Sequence, residues 1–200
     1  MKVAIIGAAG MIGRKLAERI AVTGQVGGQK VDAITLIDVI LPEVATNFVG
    51  ARDAFVADLA EPGVATRVIS GRPELIVHLA AIVSGEAEAD MAKGYRVNLD
   101  STHALLKAIA AVDGYHPRLI YASSLVVFGA PFPAKISDDY HLTPLTSYGT
   151  QKAIGEMLLN DYSRRGIVDG IGIRFPTICI RPGKPNKAAS SFFSSILREP

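Results

Sequence analysis

A doubly wound α/β fold, with a parallel sheet covered by helices on both faces, is the architecture this 200-residue sequence predicts. Three observations carry the prediction. Six short runs rich in β-branched residues alternate with amphipathic stretches along the chain. The short runs are nearly continuous in apolar residues rather than alternating, as expected of strands buried on both faces. A glycine-rich turn follows the first run directly and leads into the first amphipathic stretch.

The elements follow in order. Residues 3–6 form the first strand. The apolar run there is short and breaks at Gly7, Gly10 and Gly13, with Arg14 and Lys15 close behind, so it reads as a strand entering a tight turn rather than a secretory leader. A cytoplasmic location is expected on that basis. A helix follows over 11–22, then a polar turn over 24–30. Strands at 33–37 and 54–57 precede a helix at 62–69, a strand at 75–79 and a long helix at 91–111. The fifth strand spans 119–122. A loop over 130–144, punctuated by Pro131, Pro133 and Pro144, leads to a helix at 147–164, in whose last turn Arg164 and Arg165 suit the dipole. The sixth strand spans 171–175. Residues 190–197 resemble the start of another helix with nothing to pack on. The expected organisation is an α/β domain over 1–175 and the start of a further region over 176–200, in a chain read as a fragment.

Composition narrows the function. With 49% hydrophobic and 20% charged residues the chain can bury a core and is not a disordered polymer. Lysine and arginine total 21 against 19 acidic residues, a net charge of +2, which gives no field to recruit nucleic acid or an anionic membrane. One cysteine, Cys179, excludes a disulfide framework and a cysteine-rich zinc site. No apolar run is long enough to cross a bilayer as a helix. His103, His116 and His141 are scattered without ligand spacing, so no metal is expected, and His78, flanked by Ile76, Val77 and Leu79, reads as a satisfied core histidine.

Chemistry concentrates in two places. Gly7-Ala-Ala-Gly10-Met11-Ile12-Gly13 sits between the first strand and the first helix. Glycines let the backbone turn tightly and approach a pyrophosphate, while the helix start at Met11 and Ile12 offers unpaired N–H groups and a positive dipole end. With 19 glycines, chance alone gives the spacing about 0.17 times, so its position after the strand is what makes it a dinucleotide site. Asp38, ending the second strand, can accept the adenosine ribose hydroxyls. No cation follows among Val39, Ile40 and Leu41, so NAD is preferred over NADP. Asp58 ends the third strand and reads equally as an acceptor for the adenine amino group, with Leu59 beside it, or as a helix cap.

The second place is Tyr148-x-x-x-Lys152, which sets both side chains on one helical face. A tyrosine titrates near pH ~10 and needs a neighbouring cation to serve as a base at neutral pH. The preceding strand ends in Ser123-Ser124, and strand carboxyl ends form the ligand crevice of this architecture.

Together Gly7-x-x-Gly10-x-x-Gly13, Asp58-Leu59, His78-Leu79-Ala80-Ala81, Asn98, Ser123-Ser124-x-Val-Val-Phe-Gly129, Tyr148-x-x-x-Lys152 and Arg174-Phe-Pro-Thr resemble the extended short-chain dehydrogenase/reductases, the Rossmann-fold group that contains nucleotide-sugar epimerases and dehydratases. The resemblance runs over essentially the whole chain. It implies a general base at Tyr148 and a cofactor-holding, pKa-lowering cation at Lys152. The substrate hydroxyl would be oriented by Ser124 or Ser123: counting back from Gly129 favours the first, counting back from Tyr148 the second. Leu79, Ala80 and Ala81 would line the NAD path, Asn98 would be a structural or relay asparagine, and Pro176 and Thr177 would touch the nicotinamide end. Val126 and Phe128 depart from the sugar epimerases and imply a less polar substrate side. The segment 178–190 suggests a branch acting on small sugar acids. Arg181, with Lys184, Asn186, Lys187, Ser190 and Ser191 nearby, is either a grip for a carboxylate or a solvated basic loop, and a donor near Ser84 is a second anchor. The expected activity is NAD-dependent oxidation of a secondary alcohol on a small 2-hydroxy acid. The alternatives are a nucleotide-sugar epimerase or dehydratase with bound NAD, and an NAD(H)-binding protein without turnover. Family resemblance also implies a homodimer, an NAD-binding Rossmann domain over 1–175 and a substrate-covering region that starts over 176–200 and lies mostly beyond Pro200.

Overall fold

The structure, a computed structural model, describes residues 1–43, 46–178 and 196. Arg181, Lys184, Asn186, Lys187, Ser190 and Ser191 lie outside the described residues, as does the helix expected at 190–197 apart from Ile196.

Six parallel strands form one sheet: β1 (Lys2–Ile6), β4 (Ala33–Asp38), β5 (Ala51–Val56), β6 (Leu75–His78), β7 (Arg118–Ser124) and β8 (Asp169–Phe175), in the order β5-β4-β1-β6-β7-β8. The order reverses at β1, which pairs with β4 on one side and β6 on the other. In a doubly wound sheet that reversal opens a crevice at the carboxyl ends of the strands. Alternating side chains of the central strands feed two separate cores. Val3 and Ile5 pack on one face with Ala17, Ile20 and Ala21 of α1 (Met11–Thr23). Ala4 and Ile6 pack on the other with Val68 of α2 (Val64–Ile69), Leu105 and Ile109 of α5 (Ser101–Ala110) and Leu159 of α6 (Ser147–Arg164). This double burial explains why the strand sequences lack alternation.

Helix ends follow local chemistry. Gly24 closes α1 in the left-handed region at φ 66°, its amide donating to the Ile20 carbonyl. Thr146 caps α6, its side chain accepting from the Gly149 amide at 3.0 Å. Arg164 and Arg165 sit at the end of α6 as expected and pair with Asp161.

Four expectations are corrected. The polar turn over 24–30 contains a small antiparallel hairpin, β2 (Gln25–Val26) and β3 (Gln29–Lys30). The helix expected at 62–69 begins at Val64, after Gly63 in the left-handed region. A short helix, α3 (Ser84–Ala89), stands where none was expected. The long helix expected over 91–111 is α4 (Met91–Gly94), a π-helical turn (Tyr95–Asp100) and α5. Asn98, inside the π turn, spends its side chain on other elements, and those bonds accompany the widened turn.

Candidate active site

The site is built at the carboxyl ends of β1, β4, β6 and β7. Gly7 leaves β1 at φ 88°, and a Cβ there would sit 2.6 Å from the Ala80 amide nitrogen. At Gly13 a Cβ would overlap the Gly7 carbonyl. Both positions therefore require glycine for close approach. The amides of Gly7 and Ala8 donate to the Ile37 carbonyl at 2.8 and 3.1 Å, which ties the turn to β4. The first intrahelical bond of α1 runs from the Arg14 amide to the Gly10 carbonyl. The amides of Met11, Ile12 and Gly13 precede it and form the positive end of the helix. Asp38 closes the arrangement: its carboxylate accepts from the Ala9 amide at 2.9 Å and from the Val39 amide at 2.7 Å.

A cavity of about 550 Å³ opens beside this turn, walled by Gly7, Gly10, Asp38, Asp58, Leu59 and the 79–82 loop. Bare glycine backbone, helix-start amides and a carboxylate at the strand end fit a dinucleotide. Asp58 does not cap α2, whose N-cap is Gly63 without a side-chain bond. Asp58 accepts from the Ala60 amide and from Arg96 Nη1, both at 2.9 Å. Arg96 thus stands on the cavity wall beside it.

A second cavity of about 330 Å³ continues the first, sharing Leu79, Ala81 and Ile82 with it. Ile12, Ser84, Ser124, Tyr148, Lys152, Pro176 and Thr177 line it, so residues expected for base, cation, serine and nicotinamide end come together in one trough. Both serines reach the wall, but they differ. Ser123 is 3% exposed and its hydroxyl bonds the Glu156 carboxylate beneath α6. Ser124, on the opposite face of β7, accepts a long 3.4 Å bond from the Val126 amide and has no other bond among the described residues. Ser124 is thus less engaged by the protein than Ser123 among the described residues. Val126 lines the trough; Phe128 does not, since its ring packs on Tyr140 and under Arg174, so the expectation that it faces the substrate is corrected.

Lys152 is 1% exposed and its Nζ donates to the Ala122 carbonyl at 2.8 Å. Burial pulls its pKa down from 10.5 to about 7. Asn98 does not line the trough. It accepts from the Ile82 amide at 2.8 Å, donates to the Ile82 carbonyl and to Gln151 Oε1, and so holds the trough loop from behind. His78 is buried, but only half satisfied: Nε2 bonds Thr102 Oγ1 at 2.9 Å and Nδ1 has no partner among the described residues. Burial lowers its pKa to about 3, so the ring is neutral.

Three residues not expected from the sequence also meet the site's residues: Gln151 bonds Asn98, Glu156 bonds Ser123, and the Tyr121 ring faces Lys152. Glu156 lies one turn beyond Lys152 on α6, a spacing that could have found it. Its carboxylate is gripped by Arg174 Nε and Nη2 at 2.8–3.2 Å.

A family model described as the NAD dependent epimerase/dehydratase family matches residues 3–199. The chain is 48% identical over 208 residues to a D-erythronate dehydrogenase of Cupriavidus necator and 46% identical over 200 residues to one of Haemophilus influenzae, covering all of this chain and 62% of each relative. A crystal structure of a protein titled nucleoside-diphosphate-sugar epimerase from Agrobacterium tumefaciens superposes with a TM-score of 0.95 at 62% identity, over 100% of this chain and 59% of that one. The chain thus spans about three fifths of the length of the proteins it matches.

Proposed function

The chain belongs to the NAD dependent epimerase/dehydratase family, and from that premise we propose that it acts as an NAD-dependent oxidoreductase on the secondary alcohol of a small 2-hydroxy acid of the D-erythronate type. The observation that carries the reading is the continuous trough, in which the glycine turn and Asp38 lead directly to Ser124, Tyr148 and Lys152. The relatives named D-erythronate dehydrogenase support the substrate class.

Gly7, Gly10, Asp38 and the start of α1 would hold the dinucleotide, which when bound supplies a hydride acceptor. The protein's own part is to bind, orient and move a proton. Ser124 Oγ orients the substrate hydroxyl, and the Tyr148 phenolic oxygen takes its proton. The Lys152 ammonium, on the same face of α6, lowers the cost of the phenolate. The 79–82 loop, anchored by Asn98, keeps the wall between the two halves of the trough in place. Two readings compete. Conversion of a nucleotide sugar, with the hydride returned to the product, is favoured by the name of the 62% identical structure. Binding without turnover is disfavoured by Tyr148 and Lys152 lining the same cavity.

The deciding experiment offers the full-length protein four- to six-carbon aldonates and uronates alongside UDP- and dTDP-sugars, with NADH absorbance as readout. Steady NADH formation on an aldonate is the expected result. Conversion of a nucleotide sugar alone would overturn the substrate assignment, and NAD binding with no turnover on either class would overturn the enzymatic one.

A further inference from the structure

The ammonium of Lys152 is fully buried, and among the described residues no carboxylate lies within 4.0 Å of it. Glu156, one turn further along α6, is taken up by Arg174 and Ser123. The cation has one carbonyl, that of Ala122, and two rings: Tyr121 at 4.8 Å and Tyr148 at 5.7 Å from Nζ to centroid. The ring of Tyr121 is the nearer, and it is 1% exposed. It comes from β7, directly before the Ala122 carbonyl, so one strand segment supplies both contacts. A notch in α6 seats it: a Cβ on Gly155 would overlap the Tyr121 hydroxyl. The Thr102 side chain is close enough to act on that hydroxyl, although no well-formed hydrogen bond joins them.

We propose that Tyr121 is a positioning residue for Lys152: its ring face supplies the negative potential that a carboxylate would otherwise supply, keeping the buried ammonium charged and aimed along α6 toward Tyr148. This rests on the reading of Tyr148 and Lys152 as base and cation. A π face suits the task because it attracts a cation without carrying a net charge. A carboxylate in its place would form a full ion pair and compete with the phenolate for the same ammonium. The other groups around Nζ do not take over the role. His78 on β6 is held neutral by burial. Tyr121 itself is kept protonated, since burial, with Tyr148 and Glu156 nearby, pushes its own pKa up.

The test titrates Lys152 directly by NMR in protein labelled at the lysine side chains, together with the pH profile of turnover. Tyr121→Phe keeps the face and should leave the Lys152 pKa and the profile unchanged. Tyr121→Leu removes it, and the Lys152 pKa should fall by about one unit. The alkaline limb of turnover, set by loss of the Lys152 proton, should move to lower pH by the same amount. Should the leucine variant not fold, phenylalanines carrying one, two and three ring fluorines at position 121 weaken the face at nearly constant shape, and the Lys152 pKa should fall stepwise with each fluorine. An unshifted pKa in the folded leucine variant or across the fluorine series overturns the proposal, as does a phenylalanine variant that shifts as far as leucine. If Lys152 shifts as expected while Tyr148→Phe keeps full turnover, the catalytic reading falls and the positioning of Lys152 stands.

Discussion

Asp38 holds two backbone amides, those of Ala9 and Val39, with its two carboxylate oxygens. The turn it supports therefore holds its side chain at the rim of the cavity proposed for the dinucleotide. A 2′-phosphate brought there meets a carboxylate, and Val39, Ile40 and Leu41 offer no cation. NAD(H) should bind much more tightly than NADP(H) in side-by-side titrations, and Asp38→Asn, which keeps an amide acceptor for Ala9, should narrow the gap. Equal affinities in the unaltered protein would remove Asp38 from the cofactor assignment. Tyr148 is the proposed general base. Tyr148→Phe keeps the ring and deletes the phenolic oxygen, so turnover should fall at least ~100-fold, the scale of a lost general base. Calorimetry should find NAD affinity nearly unchanged, since the phenylalanine fills the same space.

The π turn at Tyr95–Asp100 sets Asn98 against the trough loop. Its amide satisfies the N–H and C=O of Ile82 and the side chain of Gln151 at once. Asn98→Ala removes the partner of the half-buried Ile82 backbone groups and of the buried Gln151 side chain and should cost about 1–3 kcal/mol in denaturant unfolding. NAD affinity should weaken as well, because Ile82 belongs to the wall common to both cavities; unchanged stability would mean that the 79–82 loop is held by something else. The sequence made some of these elements plain and hid others, for physical reasons. The inner strands β1 and β6 were legible because burial on both faces leaves apolar runs, whereas the edge strands β5 and β8 are largely exposed and give a weaker signal; Gly7 and Gly13 were legible because only glycine tolerates those approaches. The π turn was not, since 95–100 keeps an ordinary helical pattern and carries no proline or glycine to mark the widening. Ser124 could not be separated from Ser123 by counting along the chain. The choice rests on the alternation of β7, which turns Ser123 under α6 toward Glu156. Phe128 was misassigned for a related reason: the 3₁₀ turn at Leu125–Val127 redirects the backbone after β7 and sends that ring away from the trough.

At the scale of the whole molecule, one buried titratable group couples stability to pH: His78, packed against Thr102 and Tyr121 on the α5 face of the sheet. His78 binds its proton at about pH 3 when folded and at 6.5 when free. The unfolded chain therefore holds more protons between those values, and acid favours unfolding across that window. Stability should fall as pH drops from about 6.5 toward 3, by up to ~1.4 kcal/mol per unit from this group. The contribution is fully present above 6.5. Urea unfolding at a series of pH values should show a shallower acid slope for His78→Gln than for the unaltered protein, and identical slopes would assign the acid sensitivity elsewhere.

The placing of β1 at the centre of the sheet has a consequence for how the cradle is maintained in time. Its residues Val3 to Ile6 are at most 1% exposed and are bridged to a neighbouring strand on either side, whereas β5 and β8 have one neighbour each. Amides of β1 can exchange with deuterated solvent only when the molecule opens globally, while those of the outer strands exchange through local opening. Gly7 follows β1 without an intervening residue and is bonded to Ile37 of β4, so the turn that would receive the pyrophosphate is anchored in the slowest-exchanging part of the protein. Deuterium uptake should be slowest over 3–8, and adding NAD should slow exchange chiefly in the 79–90 segment. The cradle is then rigid before its ligand arrives, and little ordering entropy opposes binding at that end of the trough.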